Sequence, residues 1–463
     1  MDDSNIYYIY PFWASTYIYR GYNCCALYLY NFLIVTYILG ISAFYHDSAA
    51  ALIKNGKLIA AAQEERFTRI KHDPSFPLNA IKYLIEEANI SLGEIKYISF
   101  YEKPFLKFER LIETYIALFP KGFLQFKKSM PIWIKEKLFL KNVIIKNLQE
   151  IDKGYKGKNL LFSEHHRSHA ASTFFTSPFE RAVVLTMDGV GEWATTSVGI
   201  GYKNKIEIKK EINFPHSIGL LYSAFTYYLG FKVNSGEYKV MGLAPYGESI
   251  YKDIILKNLI DLKNDGSFKL DLTYFDFATG LKMTNKKFNS LFGRSERRSE
   301  DKLELFHMNI AASIQAVVNE VMTKITRSLA EEYKCDNLCM AGGVSLNCVT
   351  NGIIKRDGAF KKLWIQPASG DAGGAIGSAL VIWYEYLNSK RQINKKDEMN
   401  GAFLGPKFSN NDVKAELLKN ECSFEEHNDK ELAKIISDLI SKGQVIGLFR
   451  GRMEFGPRAL GAR

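Results

Sequence analysis

The sequence predicts an α/β protein of two similar lobes with a cleft between them. Two stretches carry that prediction: ILGISAFYHDSAAALIKNGKLIAAAQEERFT from Ile38, and AVVLTMDGVGEWATTSVGIGYKNKIEIKKEINF from Ala182. Each runs through an apolar strand, a turn with Asp and small residues, and a second strand of β-branched or small residues. A polar turn with Lys or Asn and a third strand ending in acidic residues follow. This is a weak internal repeat of a three-stranded meander. A sheet must bury its apolar face, so a duplicated meander followed by helices implies two layered lobes. Covering helices show at 77–87 and 310–333, where apolar residues recur at helical spacing.

Composition bounds the rest. A length of 463 residues suits about two to four compact units. Apolar residues make up 47% and charged residues 24%, which excludes a disordered, fibrous or disulfide-stapled chain. Sixty-one Lys+Arg against 50 Asp+Glu leave a charge of +11. That excess permits a polyanionic partner without choosing among phosphates, nucleic acid and a membrane surface. The six cysteines, Cys24, Cys25, Cys335, Cys339, Cys348 and Cys422, show neither a disulfide framework nor a zinc-knuckle spacing. That usage points to a reducing compartment, the cytoplasm.

In chain order, residues 1–37 stand apart. Tyr occurs at 7, 8, 10, 17, 19, 22, 28, 30 and 37, and no formal charge occurs from Gly21 to His46. The run is long enough to span a bilayer, but its Asn, Cys and Tyr positions make a poor spanning helix, and its end reads better as a buried strand. Its acidic start, Asp2-Asp3, is not that of a secretory signal. The stretch reads as a leader outside the fold, with a partner-contacting extension or a membrane anchor as alternatives. Stable membrane insertion is not expected.

Residues 110–150 are apolar and strongly basic, with Lys at 121, 127, 128, 135, 137, 141 and 146. A solvated helix face over the core is the favoured reading, and a basic surface for an anionic substrate or lipid headgroup is the alternative. Residues 386–400 read as an exposed linker, and a new unit starts near Gly401. The chain stops in FRGRMEFGPRALGAR, a Gly/Arg-rich loop behind an apolar strand expected at 445–449. It therefore reads as a fragment whose last unit, 401–463, is incomplete.

The sharpest chemical signal is SEHHRSHAAS. His165 and His169 are i and i+4, so on a helix they share one face, while His166 points elsewhere. Two imidazoles so placed can bind one divalent ion. Asp188 follows the apolar strand at 182–187, and Asp371 follows the strand at 363–366, the positions where α/β clefts place ligands. Two His with one or two Asp suit iron(II), manganese or zinc. Both aspartates also suit plain helix caps or turns.

Gly-rich turns follow apolar strands in AGGVSLN, with Gly342, Gly343 and Asn347, and in GDAGG. Such turns bind phosphate or ribose, although Asn347 suits an N-cap equally well. His46, in the turn HDSAA, and Lys71, in RIKHDPSFP, are candidate phosphate partners. Lys71 suits a surface charge as well. Glu237 and Lys239 are the polar candidates of a cleft-lining loop, VNSGEYKVMGLAPYG. Arg450, Arg452, Arg458 and Arg463 cluster around glycines, where guanidinium groups fit phosphate oxygens. The region lacks a stacking ladder, which favours a small phosphorylated ligand over nucleic acid.

Together these motifs resemble the O-carbamoyltransferase family of nodulation and antibiotic-tailoring enzymes. The resemblance runs from about Ile38 to Arg463 and rests on LGISAFYHDSAAAL, AAQEERFTRIKHDPSFP, SEHHRSHAASTFF, MDGVGEWATT, GEYKVMGLAPYG, MAGGVSLNCV, SGDAGGAIGSA and GRMEFGPRALGAR. It implies a duplicated actin/Hsp70-like (ribonuclease-H-like) bilobal domain over 38–395, similar to the tRNA threonylcarbamoyl-transfer protein. An incomplete YrdC-like α/β domain would occupy 401–463. In the family, carbamoyl phosphate and ATP, with Mg2+, give carbamoyladenylate in the YrdC-like part. The carbamoyl group then passes to a hydroxyl, often on a sugar, in the larger part. With the YrdC-like part incomplete, this chain alone is expected to lack full activity and not to make carbamoyladenylate.

By motif match, His165, His169, Asp188 and Asp371 would hold the metal, iron(II) or another divalent ion. Gly342, Gly343 and Asn347 would hold the nucleotide. His46 and Lys71 would contact carbamoyladenylate, and Arg452 and Arg458 would belong to the adenylate-forming site. Rival readings are tRNA threonylcarbamoyl transfer and a non-catalytic, nucleotide-binding actin/Hsp70-like protein. The sequence leaves a homo-oligomer open and does not identify the acceptor.

Overall fold

The computed structural model of the chain describes residues 35–134, 139–280, 282–394 and 397–461. Most of the leader expected at 1–37 therefore lies outside the described residues, as do Lys135, Lys137 and Arg463.

The first lobe opens with the meander β1 (Tyr37–Ser42), β2 (Ala49–Lys54) and β3 (Lys57–Gln63). One short turn of helix, α1 (Glu65–Thr68), leads toward α2 (Leu78–Ala88). After β4 (Ile95–Phe100) come α3 (Pro104–Leu118), α4 (Phe123–Trp133) and α5 (Leu140–Leu148). Strand β5 (Leu160–Phe162) and helix α6 (His165–Phe174) complete the lobe. The sheet order is β3-β2-β1-β4-β5, with the meander antiparallel and β1, β4 and β5 parallel. Both faces are covered, which is why β1 and β2 are apolar without alternation. Leu39, Ile41, Ala50 and Leu52 pack with Ala80, Ile81 and Leu84 of α2, and Ile38, Ala49, Ala51 and Ile53 face inward.

The second lobe repeats this plan. Its meander is β6 (Arg181–Met187), β7 (Ala194–Tyr202) and β8 (Lys205–Asn213). Then come α7 (Ile218–Tyr228), α8 (Glu237–Leu243), α9 (Lys252–Asn258), the hairpin β9 (Ile260–Leu262) and β10 (Phe268–Leu270), and α10 (Lys286–Phe292). The long α11 (Leu305–Tyr333), β11 (Asn337–Ala341), α12 (Cys348–Asp357), β12 (Lys362–Ile365) and α13 (Asp371–Val381) complete it. Its sheet runs β8-β7-β6-β11-β12 with the same pairing senses. Numbered within each lobe, both sheets are 3-2-1-4-5, so the duplicated ribonuclease-H-like architecture is read directly from the strand order.

Helices α6 and α13 lie between the two sheets. Their contact depends on small residues: a Cβ at Gly377 would stand 1.7 Å from the Ser168 carbonyl oxygen. Ala170 and Ala171 of α6 share a core with Ala375, Ile376 and Ala379 of α13.

Beyond the lobes, β13 (Phe403–Lys407) pairs with β14 (Arg452–Glu454). Helices α14 (Asn410–Lys419) and α15 (Asp429–Ser441) lie between them in sequence and bury no residue. The strand expected at 445–449 is not formed. Those residues pair with no described strand, and Val445 is 99% exposed, so apolar sequence alone did not make a ladder. No described helix is long and apolar enough to cross a membrane.

Candidate functional site

Both lobes place chemistry at the same two topological points, the turn after the first strand and the start of the helix after the fifth. In the first lobe α6 begins at His165, so His165 and His169 sit one turn apart with their Nε2 atoms 3.1 Å apart. In the second lobe, Asp188 follows β6, and Asp371 opens α13. Asp188 Oδ2 is 3.0 Å from His165 Nε2 and 3.1 Å from His169 Nε2. Asp371 Oδ1 is 3.7 Å from each imidazole nitrogen. The four ligating atoms lie within 4.8 Å of one another. Metal–ligand bonds of about 2.0–2.2 Å put neighbouring ligand atoms ~3–3.6 Å apart, so this spacing fits one divalent ion. Two nitrogen and two oxygen donors also suit iron(II), manganese or zinc by chemistry.

The charges are mutually dependent. Burial pushes the Asp188 carboxyl up, but its hydrogen bonds with His165 and His169 outweigh burial and hold it well below the usual range. Burial likewise raises Asp371, and the His46 charge and the His169 hydrogen bond bring it down. Burial lowers His169, yet its bonds to Asp188 and Asp371 carry it up to about 9. His166 behaves oppositely: burial and the neighbouring imidazoles push it down to about 3. Its Nδ1 meets Ser197 Oγ at 2.6 Å, so the third histidine is part of the core.

Side chains from distant elements fix this arrangement. Glu192 accepts hydrogen bonds from the His165 amide at 3.0 Å and the Lys103 amide at 2.8 Å. It caps α6, whose own N-cap residue, Glu164, makes no capping bond. The buried Tyr101 hydroxyl donates to Asp371 Oδ2 at 3.4 Å. Gly342 has φ of +91°, and a Cβ there would stand 2.0 Å from the Met187 carbonyl oxygen, so only glycine lets this loop lie against the end of β6.

His46 lies in the β1–β2 turn, the counterpart of the turn that carries Asp188. Its Nδ1–H donates to Asp47 Oδ2 at 2.9 Å, and its Nε2 stands 3.7 Å from Asp371 Oδ2. Burial lowers His46, but Asp371 and Asp47 raise it to about 9. The other Asp47 oxygen accepts from His72 Nδ1 at 2.7 Å, and Glu65 accepts from the His72 amide at 2.7 Å. Asp47, Glu65 and His72 thus form a second compact group of ligating atoms.

A cleft of about 440 Å³ joins these groups. Nine expected residues line it: His46, Lys71, His165, Asp188, Glu237, Gly343, Asn347, Asp371 and Arg458. His169 reaches the quartet from beneath, fully buried. Lys71 holds its ammonium 5.0 Å from the Tyr238 ring centroid, and Arg458 donates to the Leu346 carbonyl at 2.9 Å. Glu237 accepts from Ser223 Oγ at 2.8 Å. Asn347 caps α12 through the Thr350 amide at 3.1 Å and also donates to Gln315. Ile218, Leu220, Met241, Val318, Val344 and Leu346 make the second-lobe wall apolar.

Besides His169, three expected site residues do not line the cleft: Gly342, which lies against the end of β6, Lys239 and Arg452. Lys239, two positions beyond Glu237, falls about 200° around α8 and is exposed. Arg452 points from β14 to the first lobe, where it donates to Tyr83 at 3.0 Å and pairs with Glu87. Sequence reasoning missed Asp47, Glu65, His72, Tyr101 and Glu192. Asp47 adjoins His46, and Glu65 and His72 lie in EERFTRIKHD, so their motifs were visible. Tyr101 carries no local signal.

The family model described as Carbamoyltransferase N-terminus matches residues 37–380, and Carbamoyltransferase C-terminus matches residues 437–463. The chain is 56% identical to the uncharacterized protein sll1178 of Synechocystis, over 93% of this chain and 70% of that protein. It is 32% identical to nodulation protein NolNO of Sinorhizobium fredii, over 91% of this chain and 58% of that protein. Among solved structures, T. kodakarensis HypF is 13% identical with a TM-score of 0.36, covering 78% of this chain and 49% of that chain.

Proposed function

We propose, from the premise that this chain belongs to the carbamoyltransferase family, that its cleft transfers a carbamoyl group to a hydroxyl of a sugar or natural-product acceptor. Carbamoyl phosphate would be the source, through carbamoyladenylate formed with ATP and Mg2+. The observation that supports this reading most is convergence: four ligating atoms within 4.8 Å and the His46 imidazole meet in one cleft.

His165, His169, Asp188 and Asp371 are the residues that would hold a divalent metal, with iron(II) as our choice. When bound, the ion supplies Lewis-acid polarisation of the carbamoyl carbonyl and offsets the carboxylate charge that raises His46. Asp47 fixes the His46 tautomer by accepting at Nδ1, which leaves Nε2 to take the proton of the acceptor hydroxyl. Lys71 and Arg458 offer positive charge to the phosphate of the adenylate. Gly343 and Asn347 border the nucleotide, and the apolar second-lobe wall covers its base. Adenylate is a good leaving group, so the residues contribute mainly orientation and charge placement.

The test supplies chemically prepared, radiolabelled carbamoyladenylate and a panel of sugars, with iron(II) present. The proposal expects label in a sugar together with release of AMP. Hydrolysis without transfer to any sugar, or transfer that survives Asp188→Asn unchanged, would contradict it. Label supplied as carbamoyl phosphate with ATP examines adenylate formation apart from the transfer step.

A further inference from the structure

Helices α3 and α4 form a hairpin whose base reaches the cleft through Lys107 and whose tip, where Gly122 lies against Thr279, contributes nothing to the cleft lining. At its tip, Ile116, Phe119 and Phe123 are 71%, 69% and 51% exposed. The two phenyl rings meet edge to face with centroids 6.2 Å apart, so the apolar surface is continuous. Behind them Tyr115 packs on Phe126 at 4.6 Å, which holds the two helices together. Lys121, Lys127 and Lys128 are all exposed beside this surface. The sequence from 114 to 149 contains seven lysines and a single acidic residue, Glu136.

Exposed Phe and Ile flanked by several Lys, with Glu113 the one exposed acid a turn from Ile116, is the pattern of a helix that rests in the boundary between headgroups and acyl chains. The apolar side chains enter the boundary and the lysines meet anionic headgroups. A second copy of the chain is a poorer occupant, because a two-fold contact would set this basic surface against itself. A solvated face, the reading favoured by composition, does not explain three large apolar side chains at one tip.

We propose that the tip of the α3–α4 hairpin seats this protein on an anionic lipid surface. The contact is peripheral, since no described helix is long and apolar enough to cross a membrane. It stands apart from the proposed carbamoyl transfer and holds whichever acceptor is used.

The full 463-residue chain is sedimented with vesicles of phosphatidylcholine alone and with vesicles of equal parts phosphatidylcholine and phosphatidylglycerol. Binding is expected only to the second kind, and high salt should weaken it. Phe119→Ser with Phe123→Ser should lower partitioning about ten-fold or more, and so should Lys121→Glu, Lys127→Glu and Lys128→Glu combined. Far-UV circular dichroism and thermal unfolding confirm that each variant is folded. Failure to bind either vesicle overturns the proposal. So does binding that persists in the Phe variant, since that would leave electrostatics alone. Sedimentation-velocity dimers that disappear in the Phe variant would assign the tip to a second copy and also overturn it.

Discussion

The two lobes share a strand order but divide the chemistry between them. After β1, the first-lobe turn offers His46 and Asp47; after β6, the second-lobe turn offers Asp188. After β5, helix α6 brings His165 and His169; after β12, helix α13 brings Asp371. Duplicated topology therefore aims equivalent positions at one cleft, and side-chain divergence turns it into a site with two kinds of donor. The first lobe supplies imidazole nitrogen, and the second supplies carboxylate oxygen. Neither lobe alone supplies all four residues of the His165, His169, Asp188 and Asp371 quartet.

The largest expected effect sharpens that division. Asp188→Asn in the second-lobe turn should lower carbamoyl-transfer kcat/KM by about a thousand-fold or more, as loss of a metal ligand. Asp47→Asn in the first-lobe turn keeps the His46 ring in place and should cost about ten-fold, chiefly in kcat, with a changed pH profile. Equal losses would break the distinction between ligand and orienting residue. Next in size is the contact between lobes. Gly377→Ala drives a methyl group into the Ser168 carbonyl and should destabilise the fold by about 3 kcal/mol or more in urea unfolding. An unchanged midpoint would mean that α6 and α13 separate easily.

A third prediction concerns pH in the metal-free protein. His169 is raised from its ordinary 6.5 to about 9 by Asp188 and Asp371 after burial is overcome. The protonated ring's stabilisation is therefore complete below about pH 6.5 and is lost as pH rises through about 9. That contribution is on the order of 3 kcal/mol at most. Metal must displace the same proton, so metal affinity should rise with pH over the same window. Thermal unfolding followed from pH 6 to about 9.5 should show stability falling with pH without metal and nearly level with saturating metal. The smallest effect is Glu192→Gln, which weakens the α6 cap and should reduce metal affinity about ten-fold without loss of fold.

Much of the cleft was legible because its signals are local. The spacing of His165 and His169 sets both on one helical face, and the repeated meander gives two similar sheets. Aspartates at strand ends brought Asp188 and Asp371 to the same place. Other features depend on contacts that no local window contains. Glu192 reaches back 27 residues to cap α6, and Tyr101 meets Asp371 across 270. Arg452 sits in an Arg/Gly motif that reads as phosphate-binding, yet its strand turns it toward Glu87. The apolar run at 445–449 looked like a strand, but a strand exists only where a ladder partner is present. Composition at 110–150 showed the lysines, whereas exposure of Ile116, Phe119 and Phe123 emerged only from the packing.

The central claim is that both lobes together hold one divalent metal. Protein purified without oxygen, stripped and reloaded with iron(II), manganese or zinc, can be measured by inductively coupled plasma mass spectrometry beside the His165→Ala/His169→Ala variant. The account predicts one equivalent of metal per chain in the parent protein and almost none in the variant. Absence of stoichiometric binding by all three metals, or equal binding in the variant, would contradict it.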